Sequence, residues 1–172
     1  MPLILGIDPG SIKTGFGIIE HQGNRSTYVT SGIIRLPKAS LPERLKVIYD
    51  SVTEIVDEYR PDELSIEEVF MARDAKAAIK LGQARGAAIV ACVNQSIPVY
   101  EYSAKSIKKA VLGNGNAKKE QVQHMVKSLL KLAAAPREDA ADALAAALCH
   151  AHTQQSMIKL GGATKSKRGR AR

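Results

Sequence analysis

The chain contains no tryptophan, and Tyr and Phe together supply only 4% of its 172 residues. Its core must therefore be aliphatic, built from Ala, Ile, Leu and Val. Cysteine is almost as scarce. Cys92 and Cys149 fit no disulfide framework and no metal-binding spacing, so both are expected to be small buried hydrophobes in a reducing compartment. No uncharged apolar run approaches the length of a membrane span. The opening MPLILGIDPG lacks a basic start and reaches an acid at Asp8, so no signal peptide is expected and a cytoplasmic location is. With 45% apolar and 24% charged residues the composition is that of a globular protein, which excludes a collagen, a mucin or a disordered tail protein. The length fits one domain, which can bury about two-thirds of its unfolded surface without a disulfide or structural metal.

Charge is unevenly spread. The net is +8, yet six basic residues and no acid occupy the last twenty positions: Lys159, Lys165, Lys167, Arg168, Arg170 and Arg172. Residues 103–131 hold seven lysines against Glu120 alone, while the remainder carries 12 basic and 16 acidic residues. An acidic body with two basic patches suits a polyanion held at the rim of a carboxylate site. The same lysines would equally serve as a solvated face.

Hydrophobic patterning gives the order of elements. Residues 2–7 form an apolar run stopped by Asp-Pro-Gly, and residues 15–20 and 28–35 are two further strands in an antiparallel meander. Ser40-Leu-Pro-Glu43 is a capping box that opens a helix with an apolar stripe from Leu41 to Tyr59, ended by Pro61. Strands are predicted over 63–70 and 97–101, an Ala-rich helix over 74–94, and only helices beyond Ser103. The predicted fold is α/β, a mixed five-stranded sheet with helices on both faces. One folded domain is expected over 1–155, followed by a basic tail over 156–172, disordered from about Gly161.

Four carboxylates stand out by position. Asp8 ends the first strand and Glu67 lies near the end of ELSIEEVF. Functional residues of open α/β sheets collect at such carboxyl ends, so neighbouring strands would bring both acids to one edge. Asp139 and Asp142 are three apart and share a helix face. Close carboxylates resist joint ionisation unless a cation lies between them, and hard oxygen donors select Mg²⁺ or Mn²⁺ over zinc. Taken singly, each acid also reads as a turn, strand or helix-start residue. Glu68 points to the opposite face and is given no role. His124, His150 and His152 read as helix-surface residues with the wrong spacing for zinc.

The stretches GIDPGSIKTGFGII, SIEEVFMARDAKAAIKLGQARGAAI, AVLGNGNAKKEQVQHMV and EDAADALAAALCH resemble, in that order and over residues 3–152, the motifs of the RuvC family of Holliday-junction resolvases. The resemblance implies a ribonuclease H-like fold, a homodimer, and bacterial recombination and repair work beside the RuvAB branch-migration complex. It also implies Mg²⁺-dependent cutting of four-way DNA junctions that leaves a 5′ phosphate and a 3′ hydroxyl. By motif, Asp8, Glu67, Asp139 and Asp142 correspond to the catalytic carboxylates of a site for two Mg²⁺ ions per subunit, with Mn²⁺ able to substitute. Lys108 and Lys119 match DNA-contacting positions near the scissile phosphate, with Lys109 and Lys118 flanking the same Gly-Asn loop. Phe70 matches an aromatic that stacks on an unpaired base; a core residue at the sheet end is the plainer alternative. The small-residue row Ala78, Gly82 and Gly86 falls in the family's dimer interface, although packing on the sheet would also explain it.

Two other classes compete. GIDPGSIKTG resembles the phosphate loop of actin-like and sugar-kinase ATP-binding domains, but no second Gly-rich loop follows. A non-catalytic junction-binding protein would keep the basic patches without needing the carboxylates. A ribonuclease H-like nuclease acting on RNA, or a transposase-like enzyme, is a further alternative.

Overall fold

The computed structural model describes residues 1–70 and 74–168, with side chains as far as residue 162. Strands β1 (Leu3–Asp8), β2 (Lys13–Gln22) and β3 (Arg25–Arg35) form the expected meander. Helix α1 (Leu41–Tyr59), β4 (Glu63–Glu67), α2 (Ala75–Val93) and β5 (Val99–Tyr102) follow, then α3 (Ala104–Leu112), α4 (Lys119–Leu129) and α5 (Glu138–Arg168). The sheet order is β3-β2-β1-β4-β5. β1 runs antiparallel to β2 but parallel to β4, so the sheet is mixed. This is the ribonuclease H-like arrangement that the motifs implied.

Strand alternation sorts the core into two layers. Leu5, Ile7, Ile18, Leu64 and Ile66 pack with Ile48, Val52 and Val56 of α1 and Ala84, Ala88 and Ala91 of α2. Ile4 and Ile19, on the opposite face, pack with α3, α4 and the alanine-rich middle of α5. The capping box at Ser40 is present, with Glu43 accepting the Ser40 N–H at 3.1 Å. Cys92 and Cys149 are buried and unpaired as expected.

Several boundaries and one residue differ from the sequence reading: β2 runs from Lys13 to Gln22 rather than over 15–20, and β3 starts at Arg25 rather than at residue 28. β4 ends at Glu67 rather than residue 70, because its partner β5 ends at Tyr102, opposite Glu67. β5 starts at Val99, since Pro98 has no N–H to give a ladder. Helix α5 runs unbroken across residues 155 and 156 to Arg168. Ala, Lys and Arg are good helix formers, and extending an existing helix avoids the cost of nucleation. The tail side chains Lys165, Lys167 and Arg168, and all of Arg170 and Arg172, lie outside the described residues. His150 is fully buried instead of surface-lying. Its Nδ1 meets the Tyr102 hydroxyl at 2.6 Å and its Nε2 meets Glu63 Oε2 at 2.8 Å. Among the described residues no helix is long and apolar enough to cross a membrane.

Candidate active site

Alternation decides where the strand acids point. Leu5 and Ile7 belong to the α1/α2 layer, so Ile4, Gly6 and Asp8 face α5. On β4 the same rule turns Glu63, Ser65 and Glu67 towards α5, and Ser65 Oγ donates to the Ala146 carbonyl at 2.6 Å. β1 and β4 are parallel neighbours with Ile7 opposite Ile66. Asp8 and Glu67 therefore leave adjacent strand ends side by side.

Helix α5 brings the other pair. Asp139, Asp142, Ala143 and Ala146 follow helical spacing along the face turned to the sheet. That face comes unusually near because β1 carries Gly6, whose absent side chain leaves room for the Ala143 backbone. Asp8, Glu67, Asp139 and Asp142 consequently line one cavity of about 280 Å³, together with Glu138, Lys108 and Lys119.

The electrostatics reflect four acids around one space. Burial first, then the charges of Asp142, Glu67 and Asp139, together raise the Asp8 carboxyl to about 8 against the opposing pull of Lys119. Burial, then Glu67 and Glu138, raises Asp142 to about 6. Burial also raises Glu67, against the pull of Lys108. Among the described residues no three Asp, Glu, His or Cys side chains stand close enough together to ligate one ion as they are; like charges around a cavity spread apart. Asp139 Oδ2 is buried and receives no directed hydrogen bond, although the Lys13 ammonium stands 3.0 Å away.

Several supporting residues escaped the sequence reading. Lys13 is one: strand alternation puts it on the same α5-facing side as Gly15, where its ammonium reaches Asp139. Glu138 pairs with Lys119 across the cavity rim, and this hydrogen bond raises the Lys119 pKa. Arg85 Nε donates to the Glu67 carbonyl at 2.8 Å while its guanidinium meets Glu101 at 2.5 Å, which pins the end of β4. Buried Thr14 closes the turn after Asp8 through Gly10, accepting its N–H at 3.3 Å. The Thr in GIDPGSIKTG was the available signal for that contact.

The remaining candidates divide. Lys108 and Lys119 line the cavity, whereas Lys109 and Lys118 are exposed and do not. The N–H of Lys118 instead begins α4, donating to Gln121 at 2.8 Å. Phe70 is 90% exposed, so it is not a core residue. On α2, Ala78 is half-buried, and a Cβ on Gly82 or Gly86 would meet nothing within 4 Å among the described residues. Packing on the sheet thus does not account for these glycines. Exposed Ile79, Val90 and Val93 lie on the same helix.

Comparison with known proteins agrees with this geometry. Residues 4–150 match the family model described as crossover junction endodeoxyribonuclease RuvC. The protein of that name from Teredinibacter turnerae is 59% identical, with 99% of each chain covered. Its counterpart from Aeromonas salmonicida is 60% identical over the full length of both. Among solved structures, Thermus thermophilus RuvC in complex with a Holliday junction substrate superposes with a TM-score of 0.85 at 35% identity, covering 91% of this chain and 96% of that one. Motif order, sheet topology and whole-length identity all lead to one assignment: the chain belongs to the RuvC family of crossover junction endodeoxyribonucleases.

Proposed function

We propose that this protein is a metal-dependent endonuclease that resolves four-way DNA junctions during recombination and repair, leaving a 5′ phosphate and a 3′ hydroxyl. The observation that carries the reading is the single cavity where Asp8, Glu67, Asp139 and Asp142 converge beneath Lys108 and Lys119. Family membership gives the metal dependence. Two features of the cavity fit a divalent cation: an all-oxygen donor set, which suits Mg²⁺ or Mn²⁺, and a buried Asp139 Oδ2 whose one partner is the Lys13 ammonium, a cation already drawn to that position. The four carboxylates would hold two Mg²⁺ ions, with Mn²⁺ as a substitute. When bound, such a pair lowers the pKa of an attacking water and stabilises the departing 3′ oxygen.

The protein's own groups do the rest. Lys108 and Lys119 bind the phosphate on either side of the bond to be cut and offset its growing negative charge. Glu138 keeps the Lys119 ammonium at the rim through their ion pair. Lys109 and Lys118, outside the cavity, hold flanking phosphates. Phe70, exposed three residues beyond Glu67, stacks on a base unpaired at the crossover. A junction offers two equivalent strands, so the working form is a C₂ homodimer joined through the α2 face of Ala78, Gly82 and Gly86. It acts in the bacterial cytoplasm with the RuvAB branch-migration complex.

An ATP-binding role fits less well. Gly15, the last residue of GIDPGSIKTG, lies in β2 and is covered by the α5 backbone rather than open to a phosphate. The test is incubation of the purified protein with Mg²⁺ and labelled four-way junction, duplex DNA and RNA–DNA hybrid. Paired, symmetric nicks in the junction are expected. Preferential cutting of the hybrid, or binding of the junction without any cutting, would overturn the reading.

A further inference from the structure

The first turn of α5 has a second open side. Opposite the carboxylate cavity, between edge strand β3 and the start of α5, lies a groove of about 330 Å³. Its lining includes Gly32, Arg35, Arg137 and Ala140, with two arginines and no acid. Register pairs Arg35 with Lys13 across β3 and β2. Lys13 in turn reaches Asp139, so the row of cations leads from this groove to the cavity edge. Lys13 already has an acidic partner. Arg35 and Arg137 have none among the described residues.

We propose that this groove is a second anion site for the DNA, in which Arg35 and Arg137 clasp a backbone phosphodiester away from the bond that is cut. The inference rests on the endonuclease reading above. Two forked guanidiniums with no acidic partner, at a concave edge, match the bidentate demands of a phosphodiester better than those of any neutral ligand. Position adds to this. Lys108 and Lys119 approach the carboxylates from the α3 and α4 side, whereas Arg35 and Arg137 lie beyond the opposite side of the α5 start. A strand laid across the cavity would otherwise meet Lys108 and Lys119 on one side and, on the other, only Lys13, which Asp139 already holds, beside a cluster of acids that repels it. Cations on both flanks fix its direction as well as its affinity.

The experiment is fluorescence anisotropy of a labelled four-way junction with the full chain, in EDTA, over a salt series. An Arg35→Gln/Arg137→Gln double variant is expected to bind about tenfold or more weakly at low salt, and its salt slope to flatten by about 1 per groove, because the two arginines share one phosphate. Each single variant is expected to flatten it less than the double variant, and Arg35→Lys/Arg137→Lys to recover the slope. A folded double variant with the parent's affinity and slope overturns the groove alone, provided the parent binds junctions. A parent chain that binds no DNA overturns both this proposal and the endonuclease reading.

Discussion

A methyl group placed on Gly15 of β2 would lie 2.0 Å from the carbonyl oxygen of Asp139 on α5. Backbone touches backbone at that point, and neither side can yield cheaply. The distance between the strand-borne acids and the helix-borne acids is therefore kept short by a missing side chain here, as it is at Gly6.

Gly15→Ala should accordingly lift the start of α5 from the sheet. The expected outcome is a loss of about 2 kcal/mol or more in stability and a fall in junction cleavage of about 100-fold, from misplacement of Asp139 and Asp142. Thermal melts and single-turnover cleavage on the same preparation would check it. A variant that melts and cuts like the parent would show that α5 has freedom this contact denies.

Asp8→Asn is expected to abolish cleavage while leaving junction binding intact. Asp8 belongs to the carboxylate set, whereas affinity resides in the lysines and arginines. Gel shift in EDTA and cleavage in Mg²⁺ separate the two. Loss of binding by a folded variant would contradict the assignment.

Stability of the metal-free protein should fall as pH rises. An unfolded Asp titrates near 3.8, whereas folded Asp8 titrates near 8 and Asp142 near 6. The folded chain holds protons that the unfolded chain releases, so the stabilisation present below pH 3.8 is lost progressively up to about pH 8. Every tenfold difference in proton affinity between the folded and unfolded chain is worth about 1.4 kcal/mol. Melts in EDTA between pH 5 and pH 8, as an order-of-magnitude window, should decline, and Asp8→Asn should flatten the decline. Excess Mg²⁺ should flatten it as well, by binding the ionised set. A parent and an Asp8→Asn variant with identical profiles would mean that Asp8 ionises freely.

Gly82→Leu tests the α2 face. The space around Gly82 is open, so the protomer should keep its fold and lose only self-association. Light scattering should report monomers, and junction products should lose their paired symmetry. A dimeric variant with normal products would move the interface elsewhere.

Much of the fold is legible in the sequence, for identifiable reasons. The order of elements follows from apolar period and from punctuation such as Asp-Pro-Gly and the Ser40 capping box, which are local signals. The four acids are legible through strand ends and i, i+3 spacing. Lys13 and Arg35 are not, because only cross-strand register makes them neighbours. His150 is misjudged from sequence since three histidines within 124–152 look alike there. The partners that bury it, Tyr102 and Glu63, lie 48 and 87 residues away. The end of β4 is set by the length of β5, a fact about another segment.

The dependence of the cavity on α5 also bears on biosynthesis. A ribosome delivers Asp8 first and Glu67 some sixty residues later, but Asp139 and Asp142 only with the last helix of the chain. Until α5 has left the ribosome and settled over Gly6 and Gly15, a growing chain carries half of its acids and none of the enclosing wall. A chain stopped before residue 138 therefore lacks Asp139 and Asp142 and the wall that closes the cavity.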